Sequence, residues 1–411
     1  MKSKERAAAR SIIALVAIAA SGCASSNDET VFTAEDRALI RLMAFSPDAS
    51  VPIDVGNDLF VRGSPGLRLA LASFGQQLFF DTELSSEREG GGRVSCAECH
   101  SPADWFSDGR GENNVSYGVD WTGRNSPSLV NVGFYTSFGW DGRSDALWAQ
   151  GKHAFEAKAT MRGDRLRLAQ QVARRYSDVY TAVFREQLPQ QLQTDDPISE
   201  LELDRIYKNL LKCWSAYLLQ LNSGDAPFDV FARGAEAALT PEQRHGLHLF
   251  IGKAGCINCH LGPHFTDNQF HALGLDQNGP HVPGEDLGRF TGIEKLKELD
   301  ASFRLFPAPA NSENEIGKFR TKSLRQVAQT APYFHAGQMA TLGDVVWFYN
   351  QGGLNGRTPR SPFIVPLELT EREQADLVAF LGSLTGAPVP AQFTCNSARS
   401  DGGVGPRCGM R

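Results

Sequence analysis

The sequence lacks three features that would point to common classes of protein. It has no excess of positive charge, since 41 basic residues face 47 acidic ones and the formal net charge is −6, which argues against nucleic-acid binding. Its most apolar stretch, residues 12–20, is too short to cross a membrane. Period-two alternation of the kind that predicts β-strands is almost absent. With 41% hydrophobic and 21% charged residues, the composition excludes a disordered or fibrous chain and indicates a globular protein.

The N-terminus has the pattern of an export signal. Four basic residues stand among the first ten, the apolar residues 12–20 follow, and Ala20-Ser21-Gly22-Cys23 ends the segment. This order predicts a signal peptide over residues 1–22. A cysteine directly after glycine also resembles the lipobox of bacterial lipoproteins, which predicts a lipid on Cys23, a tether over residues 23–45 and a periplasmic protein anchored to the outer membrane. The alternative is an ordinary secreted protein in which Cys23 is incidental.

Four of the eight cysteines belong to two copies of one motif. These copies are Cys96-Ala97-Glu98-Cys99-His100 and Cys256-Ile257-Asn258-Cys259-His260. In the Cys-x-x-Cys-His motif, two thioethers attach a c-type haem and the histidine binds its iron. A zinc site would need the two halves close in sequence, and a redox-active pair would explain neither the histidine nor the repetition. The sequence therefore predicts two covalently bound haem c groups.

The remaining cysteines have structural interpretations. Cys395 and Cys408 flank a glycine-rich tail and are predicted to pair in an oxidising compartment. Cys213 lies in an apolar helical pattern and is predicted to be a buried thiol without chemistry.

The two haem motifs divide the chain. We predict a mainly α fold with long irregular loops, made of two cytochrome c-like haem domains over residues 46–230 and 231–390, and a tail over residues 391–411. A weak repeat, Gly75-Gln-Gln-Leu-Phe79 and Gly246-Leu-His-Leu-Phe250, precedes the two haem motifs. Apolar periodicity and capping signals predict helices within 162–186 and 203–221, a helix after Thr240, and a last helix from Thr370 to about Gly386.

Several further motifs resemble those of one family, the bacterial di-haem cytochrome c peroxidases together with the related MauG proteins. The resemblance covers roughly residues 70–385. Besides the haem motifs, it is carried by Phe79-Phe80-Asp81, Phe106-Ser107-Asp108-Gly109-Arg110, Gly123-Arg124-Asn125-Ser126-Pro127-Ser128, Trp140-Asp141-Gly142-Arg143, Phe265-Thr266-Asp267, Phe319-Arg320-Thr321 and Thr330-Ala331-Pro332-Tyr333-Phe334-His335.

The resemblance implies roles for particular residues. The N-terminal haem would react with hydrogen peroxide, and the C-terminal haem would pass electrons to it. Trp140 matches a tryptophan between the haems, although a core aromatic is the alternative. Gln150 matches the glutamine of the peroxide pocket. Calcium ligands are implied at the Asn125 side chain and at the backbone carbonyls of Thr330 and Pro332.

Three positions depart from the peroxidase pattern. Thr160 stands where the family has a glutamate that moves the peroxide proton, so that Glu156 or His153 would have to replace it. Tyr117 stands where many members have a histidine that blocks the peroxidatic iron, which implies either an iron that is always open or a loop of a different shape. Tyr349 stands where peroxidases have a methionine ligand of the second iron. The MauG branch has a tyrosine at this position, and Met339 is a rival ligand by chemistry.

These patterns lead to one function and one alternative. The expected function is a periplasmic di-haem oxidoreductase that reacts with hydrogen peroxide. Its electrons would come from a small cytochrome c, a cupredoxin or an oxidisable protein substrate, and it would touch the membrane only through its lipid. The alternative is an electron-transfer cytochrome without efficient peroxidase activity, because Thr160 cannot accept a proton near neutral pH.

Overall fold

The computed structural model describes residues 32–45, 63–110, 115–194, 196–354 and 359–395. The predicted signal peptide, the lipid site at Cys23 and the predicted disulfide partner Cys408 lie outside these ranges. No helix in the described ranges is both long and apolar enough to pass through a membrane. Cys213 is a buried free thiol, as predicted. Cys395 is disulfide-bonded.

The described chain is mainly helical with long irregular connections, which confirms the predicted fold class. Its one sheet has two short antiparallel strands, with Phe270 paired to Arg320. The helices and strands in chain order are α1 (Ala34–Met43), α2 (Pro65–Phe79), α3 (Leu147–Glu156), α4 (Arg165–Arg175), α5 (Ser177–Phe184), α6 (Gln191–Thr194), α7 (Glu200–Leu218), α8 (Pro227–Ala232), α9 (Pro241–Ile251), β1 (Phe270–Ala272), α10 (Arg289–Glu298), β2 (Lys318–Arg320), α11 (Leu342–Asn350) and α12 (Glu371–Gly382).

Capping explains where several helices begin. Thr240 and Thr370 each form a capping box at the starts of α9 and α12, as their sequences predict. The helical pattern over 162–186 is interrupted, because Tyr176 (φ −133°, ψ 18°) leaves the helical conformation between α4 and α5. The prediction of a last helix reaching Gly386 was wrong by one turn, since α12 ends at Gly382.

The weak sequence repeat marks the same packing arrangement in both halves. Gly75 on α2 lies so close to α7 that a Cβ added there would be 1.9 Å from the carbonyl oxygen of Cys213. Gly246 on α9 has the same relation to α12, where the added Cβ would be 2.0 Å from the carbonyl oxygen of Asp376. One helix pair therefore supports each haem motif, and each pair lies within its own hydrophobic core.

The cores do not follow the order of the chain strictly. Residues 34–43 of the predicted tether form α1, which begins at the capping box of Thr33 and Asp36 and buries Ile40 and Met43 in the second core. This part of the predicted tether is thus a packed helix. The missed signal was the Thr-x-x-Asp sequence, which is a weak capping box next to a short apolar pattern.

A buried ion pair holds the N-terminal segment to the second core. Arg325 donates to both carboxylate oxygens of Asp229 at 2.6 and 2.8 Å, and both side chains are almost completely buried. The same carboxylate accepts a hydrogen bond from the backbone N–H of Phe45 at 2.8 Å. Because every polar atom in this group finds a partner, the pair fixes geometry without leaving a charge unsatisfied.

Candidate functional site

Both haem motifs adopt the same local structure. Each begins with a 3₁₀ turn, over Cys96–Glu98 in the first copy and Cys256–Asn258 in the second. In each, the backbone N–H of the histidine donates to the carbonyl oxygen of the first cysteine at 3.0 Å. The four motif cysteines form no disulfide bonds. The two cysteines and the histidine are thus held on one turn, as attachment of a haem through two thioethers requires.

A carbonyl group orients each motif histidine. His100 donates from Nδ1 to the carbonyl oxygen of Phe106 at 3.1 Å, and His260 donates from Nδ1 to that of Phe265 at 2.8 Å. Both phenylalanines have left-handed backbones, with φ of 56° and 51°, which L-residues rarely adopt. The bond at Nδ1 leaves Nε2 of each imidazole with the lone pair that an iron needs.

The environment keeps both histidines neutral. Burial lowers the pKa of His100 and of His260 below the usual value for histidine. A neutral imidazole with a committed Nδ1–H is the form that binds iron, so these residues fit the haem that the motifs predict. The sequence showed the motifs, but it did not show that Phe106 and Phe265 supply the orienting carbonyls, because that depends on their unusual backbone conformation.

A large chamber lies next to the second motif. It is lined by Cys256, Cys259, His260, Trp140, Asn125, Arg320, Lys322, Thr330, Pro332 and Tyr349, among others. The structure therefore brings together Trp140, the three proposed calcium residues and Tyr349. Met339, the rival iron ligand, is not among the residues that line this chamber. Its backbone instead pairs with that of Tyr333 in an isolated bridge.

Tyr349 lies on α11, is partly buried and lines this chamber. Burial raises the pKa of its phenol, so the side chain alone is a neutral phenol at neutral pH. Its ring contacts Phe348 and Phe334, with centroids 5.2 and 6.2 Å away. The aromatic contacts hold the ring in the chamber that contains the second haem motif.

Trp140 is connected to both halves of the site. Its indole Nε1 donates to the carbonyl oxygen of Asn125 at 2.8 Å, and its own carbonyl accepts from the backbone N–H of Arg320 at 2.8 Å. Lys322 lies on its ring, with Nζ 4.6 Å from the centroid. Lys322 also affects the pKa of both motif histidines. Its positive charge lowers the pKa of His100, and a hydrogen bond with its backbone carbonyl raises that of His260.

An ion-pair network fixes the loop that carries Trp140. Arg124 donates to Asp141 at 2.7 Å and to both carboxylate oxygens of Asp286 at 2.7 Å. Arg143 also donates to Asp141, and these two guanidinium groups hold the pKa of the buried Asp141 carboxyl far below its usual range although burial itself raises it. The motifs were visible in the sequence, but this bridge between residues 124 and 286 was not, since it joins distant segments.

Two buried polar atoms without hydrogen-bond partners lie on α3. Among the described residues, Oε1 of Gln150 and Nε2 of His153 are buried and have no hydrogen-bond partner. Burial lowers the pKa of His153 to about 4, so its ring is neutral. Gln150 and His153 are three residues apart and so share one side of the helix.

The other two predicted peroxide-site residues are engaged elsewhere. Glu156 forms ion pairs with Lys152 and Arg165, and, against the effect of burial, their hydrogen bonds lower the pKa of its carboxyl. Thr160 donates its hydroxyl to the carbonyl oxygens of Ala154 and Ala157, at 2.5 and 3.1 Å, and closes the end of α3. The segment is next to the first haem motif, because Met161 Sδ lies 3.8 Å from Cys96 Sγ.

The ring of Tyr117 packs in a stack of side chains. Its ring centroid lies 4.6 Å from that of Trp121, and the guanidinium of Arg88 lies 5.0 Å from the same ring. Trp121 in turn stacks on His281 at 3.9 Å with nearly parallel rings. The ring of Tyr117 is therefore committed to contacts within the protein.

Comparison with known proteins agrees with this geometry. The family model for di-haem cytochrome c peroxidases matches residues 70–237. Cytochrome-c peroxidase IdrP2 of Denitromonas iodatirespirans is 36% identical over 329 residues, covering 78% of this chain and 82% of the relative. Methylamine utilization protein MauG of Methylorubrum extorquens is 34% identical over 319 residues, covering 77% of this chain and 78% of that protein.

A solved structure shows the same fold. A MauG-like protein associated with microbial copper homeostasis has a TM-score of 0.62 and 27% identity, over 80% of this chain and 93% of that one. Such di-haem proteins hold two haem c groups, as the two motifs here predict. The chain is therefore an enzyme of the di-haem cytochrome c peroxidase and MauG family.

Proposed function

We propose that this enzyme reduces hydrogen peroxide in the periplasm at the N-terminal motif and receives its electrons through the C-terminal motif. Haem bound at the motifs supplies the redox chemistry, in which peroxide takes up two electrons and two protons to give two molecules of water. The observation that carries the proposal is the position of Trp140. Trp140 lines the chamber of the second motif, and its indole donates a hydrogen bond to the carbonyl of Asn125. Asn125 is two residues before Pro127, whose backbone interacts with His100 of the first motif.

The peroxide pocket is proposed to lie against α3. Gln150 and His153 offer two buried polar atoms without partners, and a buried polar group of this kind is costly unless a ligand satisfies it. A peroxide molecule can both donate and accept hydrogen bonds, so it suits a carbonyl oxygen and an imidazole nitrogen.

His153 is the better base in this pocket. Cleavage of peroxide requires that a proton move from one oxygen to the other. The neutral ring of His153 interacts with the backbone of Arg143, which leaves Nε2 to take up this proton and return it. Glu156 is bound in ion pairs and the hydroxyl of Thr160 is bound to the backbone, so neither competes for the role.

The electron donor follows from the second motif. We propose a small cytochrome c or a cupredoxin, or else an oxidisable side chain of a protein substrate. A phenolate of Tyr349 on the second iron would lower its potential and so favour the protein-oxidising alternative. Trp140, in the chamber beside Tyr349, would be the relay in both cases.

Three further features belong to the same proposal. Calcium would bind the side chain of Asn125 and the carbonyls of Thr330 and Pro332, which line one chamber and offer the oxygen ligands that this ion prefers. The iron at His100 would remain open, because the ring of Tyr117 is engaged in contacts with Trp121 and Arg88. A lipid on Cys23 would attach the enzyme to the outer membrane.

Replacement of Trp140 tests the proposed route of electron transfer between the two haems. In Trp140→Phe, we expect electron transfer from the second haem to the first, measured by stopped-flow absorption after peroxide is added to the half-reduced enzyme, to slow by at least about tenfold, or about 1.4 kcal/mol of barrier. Trp214→Phe is the control, since Trp214 is buried in the first core and does not line the chamber. Equal rates in the wild type and Trp140→Phe would contradict the proposal. No reaction of the wild type with peroxide would favour a carrier without peroxidase activity.

A further inference from the structure

Two cations lie together beside Trp140. Nζ of Lys322 is 4.6 Å from the centroid of the Trp140 ring and 5.7 Å from that of Tyr135. The guanidinium of Arg320 lies 3.8 Å from the centroid of the Tyr135 ring, and Arg320 is only 3% exposed. Both side chains line the chamber that contains the second haem motif.

These two cations have no carboxylate partner among the residues that the structure describes. The donors of Arg320 reach only neutral oxygen atoms, at 3.4 Å. The carboxylate of Asp141, whose charge acts on Lys322, is engaged with Arg124 and Arg143. Arg124 adds further positive charge close to Lys322.

The charge at position 322 is not required by the backbone. Ser126-Pro127-Ser128-Leu129 and Thr321-Lys322-Ser323-Leu324 are equivalent segments, because the backbone of Pro127 contacts His100 as that of Lys322 contacts His260. Proline performs this role in the first half without a charged side chain. The ammonium of Lys322 is therefore an addition at the second motif.

A buried cation without an anion is unfavourable. Arg320 is almost completely buried and Lys322 is partly buried, so neither cation is fully hydrated, and their like charges repel each other. Both charges become stable when a carboxylate enters the chamber, because a charge-assisted hydrogen bond replaces the lost hydration. A haem c carries two propionate carboxylates, which is the anionic chemistry that this chamber lacks.

We propose that Arg320 and Lys322 are the anion-binding pair of the chamber and hold the propionate carboxylates of the haem attached at Cys256 and Cys259. This role of the pair depends on a haem being attached at the second motif and does not depend on the reaction with peroxide. Because Lys322 also lies on the face of Trp140, the carboxylate would neutralise a charge that otherwise opposes removal of an electron from the indole.

The midpoint potential of the second haem tests this pair without any turnover. We expect Lys322→Met to lower this potential in the holoenzyme, because loss of a positive charge stabilises the ferric state. The potential should also become more dependent on pH between 5 and 9, since a carboxylate without its cation takes up a proton more readily. Lys322→Arg should keep the wild-type potential. Lys318→Met is the matched control, since Lys318 begins the strand that precedes Lys322 but pairs with Glu315.

A measurement of haem content distinguishes loss of the proposed interaction from misfolding of a variant. Haem content is measured for each variant by the absorption of the pyridine derivative. Loss of the second haem in Lys322→Met, with normal content in Lys322→Arg, would support a requirement for the charge. Loss in both variants, a shift of equal size in both, or an unchanged potential and pH dependence in Lys322→Met would overturn the proposal, whatever the peroxidase activity.

Discussion

Gly75 packs directly on the backbone carbonyl of Cys213. A Cβ at position 75 would lie 1.9 Å from that oxygen, a distance that no side chain can occupy without moving a helix. The contact joins α2 to α7, and the corresponding contact of Gly246 with Asp376 joins α9 to α12. The two halves of the enzyme thus use a glycine for the same purpose, just before each haem motif.

Replacement of this glycine should destabilise the fold. We expect Gly75→Ala to lower the free energy of unfolding by roughly 1–3 kcal/mol or more, because the obstructing atoms belong to backbone. Urea unfolding of the holoenzyme would measure it. Gly66→Ala on the same helix is the control, because a Cβ there meets only Ser64 Oγ at 3.9 Å. Equal stability of Gly75→Ala and Gly66→Ala would contradict this account of the packing.

The haem motifs, the fold class and several helix starts could be predicted from the sequence, because these features depend on residues that are close in the chain. The Thr240 and Thr370 caps are examples. The helix over residues 34–43 could not be predicted in this way, because its stability comes from burial of Ile40 and Met43 against residues that are distant in the chain. Likewise, the bridge from Arg124 to Asp286 depends on how the two halves meet.

The peroxide pocket shows the same division. The family pattern singled out Gln150, and the residue types left Glu156 and His153 as possible bases. Their different surroundings became visible only in the structure, where Glu156 lies between Lys152 and Arg165 while Nε2 of His153 has no described partner. Local sequence cannot show which of two polar side chains on one helix is already engaged.

His153 should be needed for the reaction with peroxide. We expect His153→Leu to slow peroxide consumption by about 10²–10⁴-fold, since a positioned base contributes a factor of that size. Stopped-flow absorption of the first haem would measure the rate, with haem content as the check on folding. Glu156→Gln should retain most of the activity. Loss of activity in Glu156→Gln, with His153→Leu unaffected, would reverse the assignment.

Acid should destabilise the enzyme through a partly buried histidine. His264 is stacked on Phe134 at 4.0 Å, and burial, with repulsion from Arg325, lowers its pKa from 6.5 to about 4. Between these values the unfolded chain binds a proton that the folded chain does not. The stabilisation is therefore complete above pH 6.5 and is lost as the pH falls towards 4, at about 1.4 kcal/mol per pKa unit.

Substitution of this histidine should reduce the pH dependence. In His264→Phe, we expect the free energy of unfolding, measured in urea between pH 4 and 7.5, to fall less steeply than in the wild type. His281→Phe serves as the control, because His281 is exposed. Identical slopes in the wild type and His264→Phe would show that other groups cause the acid sensitivity.

Tyr349 is expected to bind the second iron. Tyr349→Met should raise the potential of one haem, because a thioether replaces a charge-donating phenolate, and Tyr349→Phe should leave that iron high-spin. Potentiometry and EPR would measure these changes. Tyr333→Phe is the control, since Tyr333 lines the same chamber but donates its hydroxyl to the carbonyl of Val327. A spectrum and potential unchanged in both Tyr349 variants would place the ligand elsewhere.

The central claim is that the iron at His100 is open to peroxide while the second haem supplies electrons. The most direct test is the EPR and absorption spectrum of the ferric holoenzyme, recorded before and after one equivalent of hydrogen peroxide. We expect one high-spin haem at the start, and the loss of its signal within the mixing time when peroxide is added. Two low-spin haems that do not change on addition of peroxide would contradict it.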